Sequence, residues 1–148
     1  MNNYLSEFQF FGSSVKHIKI KNDFISLENT INAKKKLDIT HSVISVSAYD
    51  NNKTYMGILQ LNIKYTLSEN KKKYTIDLQI EGCFTAPESI GEDTFKSMLQ
   101  INGITSLYSL ARAFIHSTTS QTLVDGSILL PMINVVSYSK DLDAKEEQ

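Results

Sequence analysis

The stretch from Lys73 to Phe84 constrains the fold more than any other part of the chain. Tyr74, Ile76, Leu78, Ile80, Gly82 and Phe84 fall on one side, and Thr75, Asp77, Gln79, Glu81 and Cys83 on the other. An extended backbone sends successive side chains to opposite faces. This alternation therefore predicts a half-buried β-strand with one face in a core and one in water. Strand-like spacing precedes it and helical spacing follows it, which places it at the seam between a sheet and the helices that cover it.

Three further strands are expected upstream. After Phe8, Phe10 and Phe11, the run Val15–Lys21 sets Ile18 and Ile20 against His17, Lys19 and Lys21, with a bend at Gly12. Its cationic side suits a sheet edge, where lysine discourages pairing with another edge. Residues 22–40 carry no firm period; Asn22-Asp23, Asn29 and Asn32 read as turns, and Lys34-Lys35-Lys36 as a solvated loop. Ser42–Tyr49 is a second strand, with Ile44, Val46 and Ala48 on one face and Val43, Ser45, Ser47 and Tyr49 on the other. A tight turn at Asp50–Lys53 leads into the longest alternation, Thr54–Leu67, whose apolar side runs from Tyr55 through Gly57, Leu59, Leu61 and Ile63 to Tyr65 and Leu67. Ser68–Lys72, with the second lysine run, turns the chain back, and so short a connection implies antiparallel neighbours.

The period changes after Pro87. Gly91-Glu92-Asp93 opens a short helix, its acids placed where the helix dipole favours them, and Asn102-Gly103 closes it. A longer helix follows, with Ile104, Leu107, Tyr108, Ala111, Phe114 and Ile115 recurring at three and four. Ser117–Gln121 is expected to fray, Asp125-Gly126 to turn, and Ile128–Ile133, with Pro131 inside it, to form an extended loop. The charged end predicts a disordered tail from about residue 139. Strands followed by helices give an α+β fold: a four-stranded antiparallel sheet with two helices packed on one face. The chain has 148 residues, enough for a single domain with its own core.

The chemistry-bearing residues are sparse. A net charge of −1 points to neither nucleic acid nor a strongly charged substrate. The single cysteine, Cys83, forms no internal disulfide and fits a reducing compartment. It lacks a neighbour that would stabilise a thiolate, and reads as a small strand residue. His17, His41 and His116 stand at no recognisable catalytic or ligating spacing, and no glycine-rich phosphate loop or HExxH is present. Glu88, Glu92 and Asp93 are explained by the helix start. No enzyme, cofactor or metal is expected. The first residues have no basic-plus-apolar leader, and no apolar run approaches the ~20 residues that span a bilayer, so a soluble cytoplasmic protein without membrane insertion is expected.

From Phe8 to about residue 136 the ordered set of segments resembles the SecB family of export chaperones. Ile80-Glu81-Gly82-Cys83-Phe84-Thr85 resembles that family's Gln-Gly-Gly-Ile-Phe-Ser run, and Leu107-Tyr108-Ser109-Leu110-Ala111-Arg112 its Leu-Phe-Pro-Tyr-Ala-Arg helix start. Leu129-Leu130-Pro131-Met132-Ile133-Asn134-Val135 resembles its Leu-x-Pro-Val-Asn-Phe loop. Ser109 departs from the family's proline, Met132 or Val135 from the loop pattern, and the segment after the loop is shorter than the family's terminal helix.

The resemblance implies a nucleotide-independent holdase, a dimer of dimers that binds unfolded preproteins in long apolar grooves. Such a protein keeps its clients competent for translocation and passes many of them to the SecA motor. Groove candidates are Ile44 and Val46 on the second strand, Ile104, Leu107 and Tyr108 at the helix start, and Leu123, Ile128 and Leu129 in the late loop. For the strand and helix members, ordinary core is the competing reading; the loop run is the stronger choice, because apolar residues beside a proline have no obvious face to bury. The resemblance places SecA docking on Thr75 and Asp77, although His17 and Lys21 stand where the family carries acids. Some SecB-like proteins instead guard an antitoxin, which uses the same holding chemistry on a dedicated client. Two readings from other classes stand beside these: an interaction domain for one partner, and a small-ligand binder with a closed polar-lined pocket.

Overall fold

A computed structural model describes residues 5–28, 32–51 and 53–146. Four long strands form a single sheet: β1 (Gln9–Asn22), β2 (Lys34–Tyr49), β3 (Thr54–Glu69) and β4 (Lys72–Pro87). Their order is β1-β4-β3-β2, and every pairing is antiparallel. The central strands β3 and β4 follow the expected alternation. Leu59, Leu61, Ile63, Tyr74 and Leu78 have no exposed surface, while the residues between them are half-buried or exposed on an open face. Helices cover the other side, so the sheet has one dry face and one wet one.

The edge strands are longer and less regular than the sequence pattern indicates. Lys34–Lys36 are not a loop; they begin β2, facing Ser68, Leu67 and Thr66 of β3. Leu37 and Ile39 pack on the core from the same strand. The lysines stay solvated because the strand is an edge. Likewise Lys72 joins Lys73 in β4, and the turn narrows to Asn70-Lys71, with Asn70 at φ 56°. In β2 the ladder shifts between Val43 and Ser45, which leaves Ile44 unpaired. Val43 thereby faces Leu59 and Val46 faces Gly57, so the two share the core side instead of opposing each other. β1 starts at Gln9 and carries two such shifts, one beside Gly12 as expected and one between Val15 and His17. Asp50 and Asn51 take positive φ in the β2–β3 turn, conformations that Asx side chains tolerate. Asn29 and Asn52, also expected in turns, lie outside the described residues.

The helices are not separated at Asn102-Gly103. Helix α1 (Glu92–Met98) runs through a π-helical stretch, Leu99–Gly103, into α2 (Ile104–Ser120). Gly103 keeps a helical φ of −64°, so it does not terminate the first helix. A Cβ there would lie 3.0 Å from Leu59 Cδ2, and the glycine serves the close approach of helix to sheet. Ile104, Leu107, Tyr108, Ala111 and Ile115 form the buried stripe of α2. Rings fill the end of the core near α1: Phe8 stacks on Phe84 at 5.1 Å and Tyr55 on Phe95 at 5.5 Å. Nor does the end of α2 fray. Thr119 is fully buried and donates its hydroxyl to the Ile115 carbonyl.

The segment that composition assigns to a disordered tail is a third helix, α3 (Val135–Glu146). Its charges are exposed, but Val135 is buried and Tyr138 packs on the core, and these two apolar anchors give the helix a face to bury.

A polar clasp holds α3 against β2. His41 Nδ1 lies 2.9 Å from the Tyr138 hydroxyl, the two rings meet edge-on at 5.5 Å, and the same hydroxyl reaches the Ile39 carbonyl at 3.4 Å. Burial pushes the His41 imidazole below its ordinary value of 6.5. A lowered pKa means that the unfolded chain takes up the proton first as pH falls. The contribution of neutral His41 is therefore complete above the ordinary value and is lost as pH drops through and below it. Denaturant midpoints at about pH 7.5 and about pH 5.5 are expected to fall toward acid, and to fall less in His41→Gln. An equal drop in that variant would remove His41 as the cause.

Candidate functional site

The segment between α2 and α3, residues 121–134, lies as an extended strap along the side of α2. Three contacts fix the backbone of its second half. The Ile128 N–H donates to Thr119 Oγ1 at 2.8 Å, Arg112 Nε donates to the Leu130 carbonyl at 2.6 Å, and the Tyr108 hydroxyl donates to the Pro131 carbonyl. A strap without secondary structure needs such partners for its backbone groups. Burial raises the Tyr108 phenol, which stays a neutral donor.

Pinning the backbone sorts the side chains. Ile128 and Leu130 turn into the core at 3% and 0% exposure, while Leu129 and Met132 point outward at 57% and 82%. Val136, in the first turn of α3, is also exposed. A cleft of about 80 Å³ lies beside them, lined by Thr105, Tyr108, Ser109, Arg112 and Ile133 among others. The surface thus presents apolar side chains on a backbone that has little freedom to withdraw them.

The groove candidates divide on this structure. Ile104 and Leu107 are fully buried between α2 and the sheet, Tyr108 nearly so, and Leu123 and Ile128 are buried as well. Val46 is half-buried at the β2 side of the core. Ile44, at the β2 bulge, and Leu129, on the strap, are the two that face solvent. Sequence reasoning misses Met132 and Val136. No sequence signal marks them: continuing the in-and-out order of Ile128, Leu129 and Leu130 would turn Met132 inward.

Thr75 and Asp77 lie half-buried on the open sheet face. Asp77 is flanked in register by Lys19 of β1 and Lys64 of β3. Cys83 shares that face with Ile58, and partial burial raises its thiol pKa, the opposite of activation. His116 Nδ1 meets Ser127 Oγ at 3.0 Å at the surface, a pair that sequence spacing does not reveal. Among the described residues no group of three His, Cys, Asp or Glu side chains could hold a metal ion, and no helix is long and apolar enough to cross a membrane.

A four-stranded antiparallel sheet with one helical face defines the class as α+β. Within that class the fold is SecB-like. The chain superposes on a SecB-like chaperone of Mycobacterium tuberculosis, solved in complex with a peptide from the HigA1 antitoxin, with a TM-score of 0.60 at 11% identity. The match covers 85% of this chain and 90% of that one. A protein of unknown function from Streptococcus agalactiae matches with a TM-score of 0.50 at 10% identity, over 84% of this chain and 97% of that one. At such identities the likeness is one of fold. No protein-family model and no curated protein sequence matches the chain.

Proposed function

We propose that this protein is a nucleotide-independent holdase that binds unfolded polypeptide segments along the outer side of the strap. The observation that carries the reading is the pair Leu129 and Met132, held outward on a backbone fixed from behind. Their inward neighbours already fill the core, so outward apolar area is left for a client. Binding through apolar area tolerates many client sequences, as a holdase requires. The SecB-like fold supports the same reading.

The proposal includes a cytoplasmic homo-oligomer, a dimer of dimers. β1 and β2 each leave an outer edge unpaired within the sheet, and Phe10, Phe11 and Val15 are exposed on β1. A role dedicated to one antitoxin client is the second reading, favoured by the antitoxin peptide bound to the M. tuberculosis chaperone. Transfer to SecA through Thr75 and Asp77 has less support, because the lysines beside Asp77 offset its charge.

Leu129→Asp tests the strap. Removing the contact of one buried leucine forfeits about 1.5–3 kcal/mol, so client affinity is expected to fall ~tenfold or more. Leu129 is exposed, so the fold is expected to persist. Fluorescence anisotropy with a labelled, reduced and unfolded client reads the affinity, and circular dichroism reads the fold. Unchanged affinity would remove the strap from the binding surface.

A further inference from the structure

The open sheet face carries a charge pattern that the holdase reading does not use. Side by side across the sheet lie Lys19, Asp77, Lys64 and Asp38, one from each strand. The next row toward the β3–β4 turn is Lys21, Thr75, Thr66 and Lys36, and beyond it Lys73, Ser68 and Lys34. Asp38 is paired with Lys36 at 3.5 Å; Asp23, at the rim, accepts the Lys73 backbone N–H at 3.0 Å and keeps its charge. That leaves five lysines, Lys19, Lys21, Lys34, Lys64 and Lys73, against two acids, Asp77 and Asp23, with no ion pair closing any of the lysines among the described residues. The chain as a whole has a net charge of −1, so this cationic field is local. The acids of α1 and α3 lie in the helices, away from this face.

We propose that this end of the open face docks an acidic, extended segment of a partner protein. Like charges concentrated on a surface raise its potential and favour a partner of opposite sign. The spacing also fits. Residues two apart on one strand, such as Lys19 and Lys21, repeat about every 6.6 Å, as do alternate side chains of an extended segment laid along the sheet. A segment with acids at alternate positions would meet these lysines in register, with Thr66 and Thr75 hydroxyls between them. Nucleic acid fits less well: these rows contain no Phe, Tyr or Trp on which bases could stack, and Asp77 stands among the lysines. The surface lies on the opposite side of the sheet from α2 and its strap, apart from the client-binding surface, and an acidic partner there would exclude SecA docking on Thr75 and Asp77.

The test uses the whole protein and a fluorescein-labelled Glu-Ser repeat peptide. Binding is expected, weakening steeply as salt rises. Lys19→Glu combined with Lys64→Glu is expected to weaken it ~tenfold or more. Lys96→Glu, on α1, is expected to leave it unchanged. No binding at low salt, a Lys-Ser peptide that binds as well, or a double reversal without effect would each overturn the proposal. A single-stranded oligonucleotide of equal charge that binds more tightly would overturn it in favour of nucleic acid.

Discussion

Phe84→Ala is expected to destabilise the fold by about 3–5 kcal/mol, the usual cost of deleting a buried aromatic side chain. Phe84 has no exposed surface. Its ring stacks on Phe8 at 5.1 Å and meets Phe10 at 5.4 Å. Across the ladder it faces Gly57, so no side chain on β3 stands ready to fill the space it would leave. Against a typical total of about 5–15 kcal/mol, that loss is a large share of the stability. Urea denaturation measures it. A loss under about 1 kcal/mol would mean that the β1–β4 end of the core is not packed as described.

Gly82→Val is expected to cost about 2–3 kcal/mol by overpacking. A Cβ at position 82 would lie 2.6 Å from Leu107 Cδ2 and 3.0 Å from Phe84 Cε2. Both side chains are fully buried, so neither has free space to enter. Combining the change with Leu107→Ala supplies that space. The double variant is then expected to lose less than the sum of the two single losses, the signature of sites in contact. Strict additivity in denaturation would contradict the close packing of α2 on β4.

The central strands are legible in the sequence because each has one buried face, which forces a period of two. Leu59–Leu67 and Tyr74–Phe84 show it without interruption. The edges are not, because an edge strand can keep lysines in water. Lys34–Lys36 look like a loop by composition and are a strand by pairing. Asn102-Gly103 reads as a helix stop because glycine serves both termination and close approach, and only the distance to Leu59 separates the two. Thr119 looks like part of a fraying polar run, yet it is the buried acceptor for the strap. Tyr138 holds α3 through His41, a contact spanning most of the sequence that no local pattern announces.

The candidate surface is legible only in part. Helical spacing identifies Ile104, Leu107 and Tyr108 as one stripe, but spacing does not say whether a stripe meets a sheet or a client. Here it meets the sheet. Leu129 stands out because a loop beside a proline has no face of its own, and its side chain is in solvent.

Light scattering on the purified protein, alone and with a reduced, unfolded client, decides whether it holds clients as proposed. An oligomer that takes the client into a soluble complex without nucleotide is expected. A monomer that leaves the client to aggregate would contradict the proposed role.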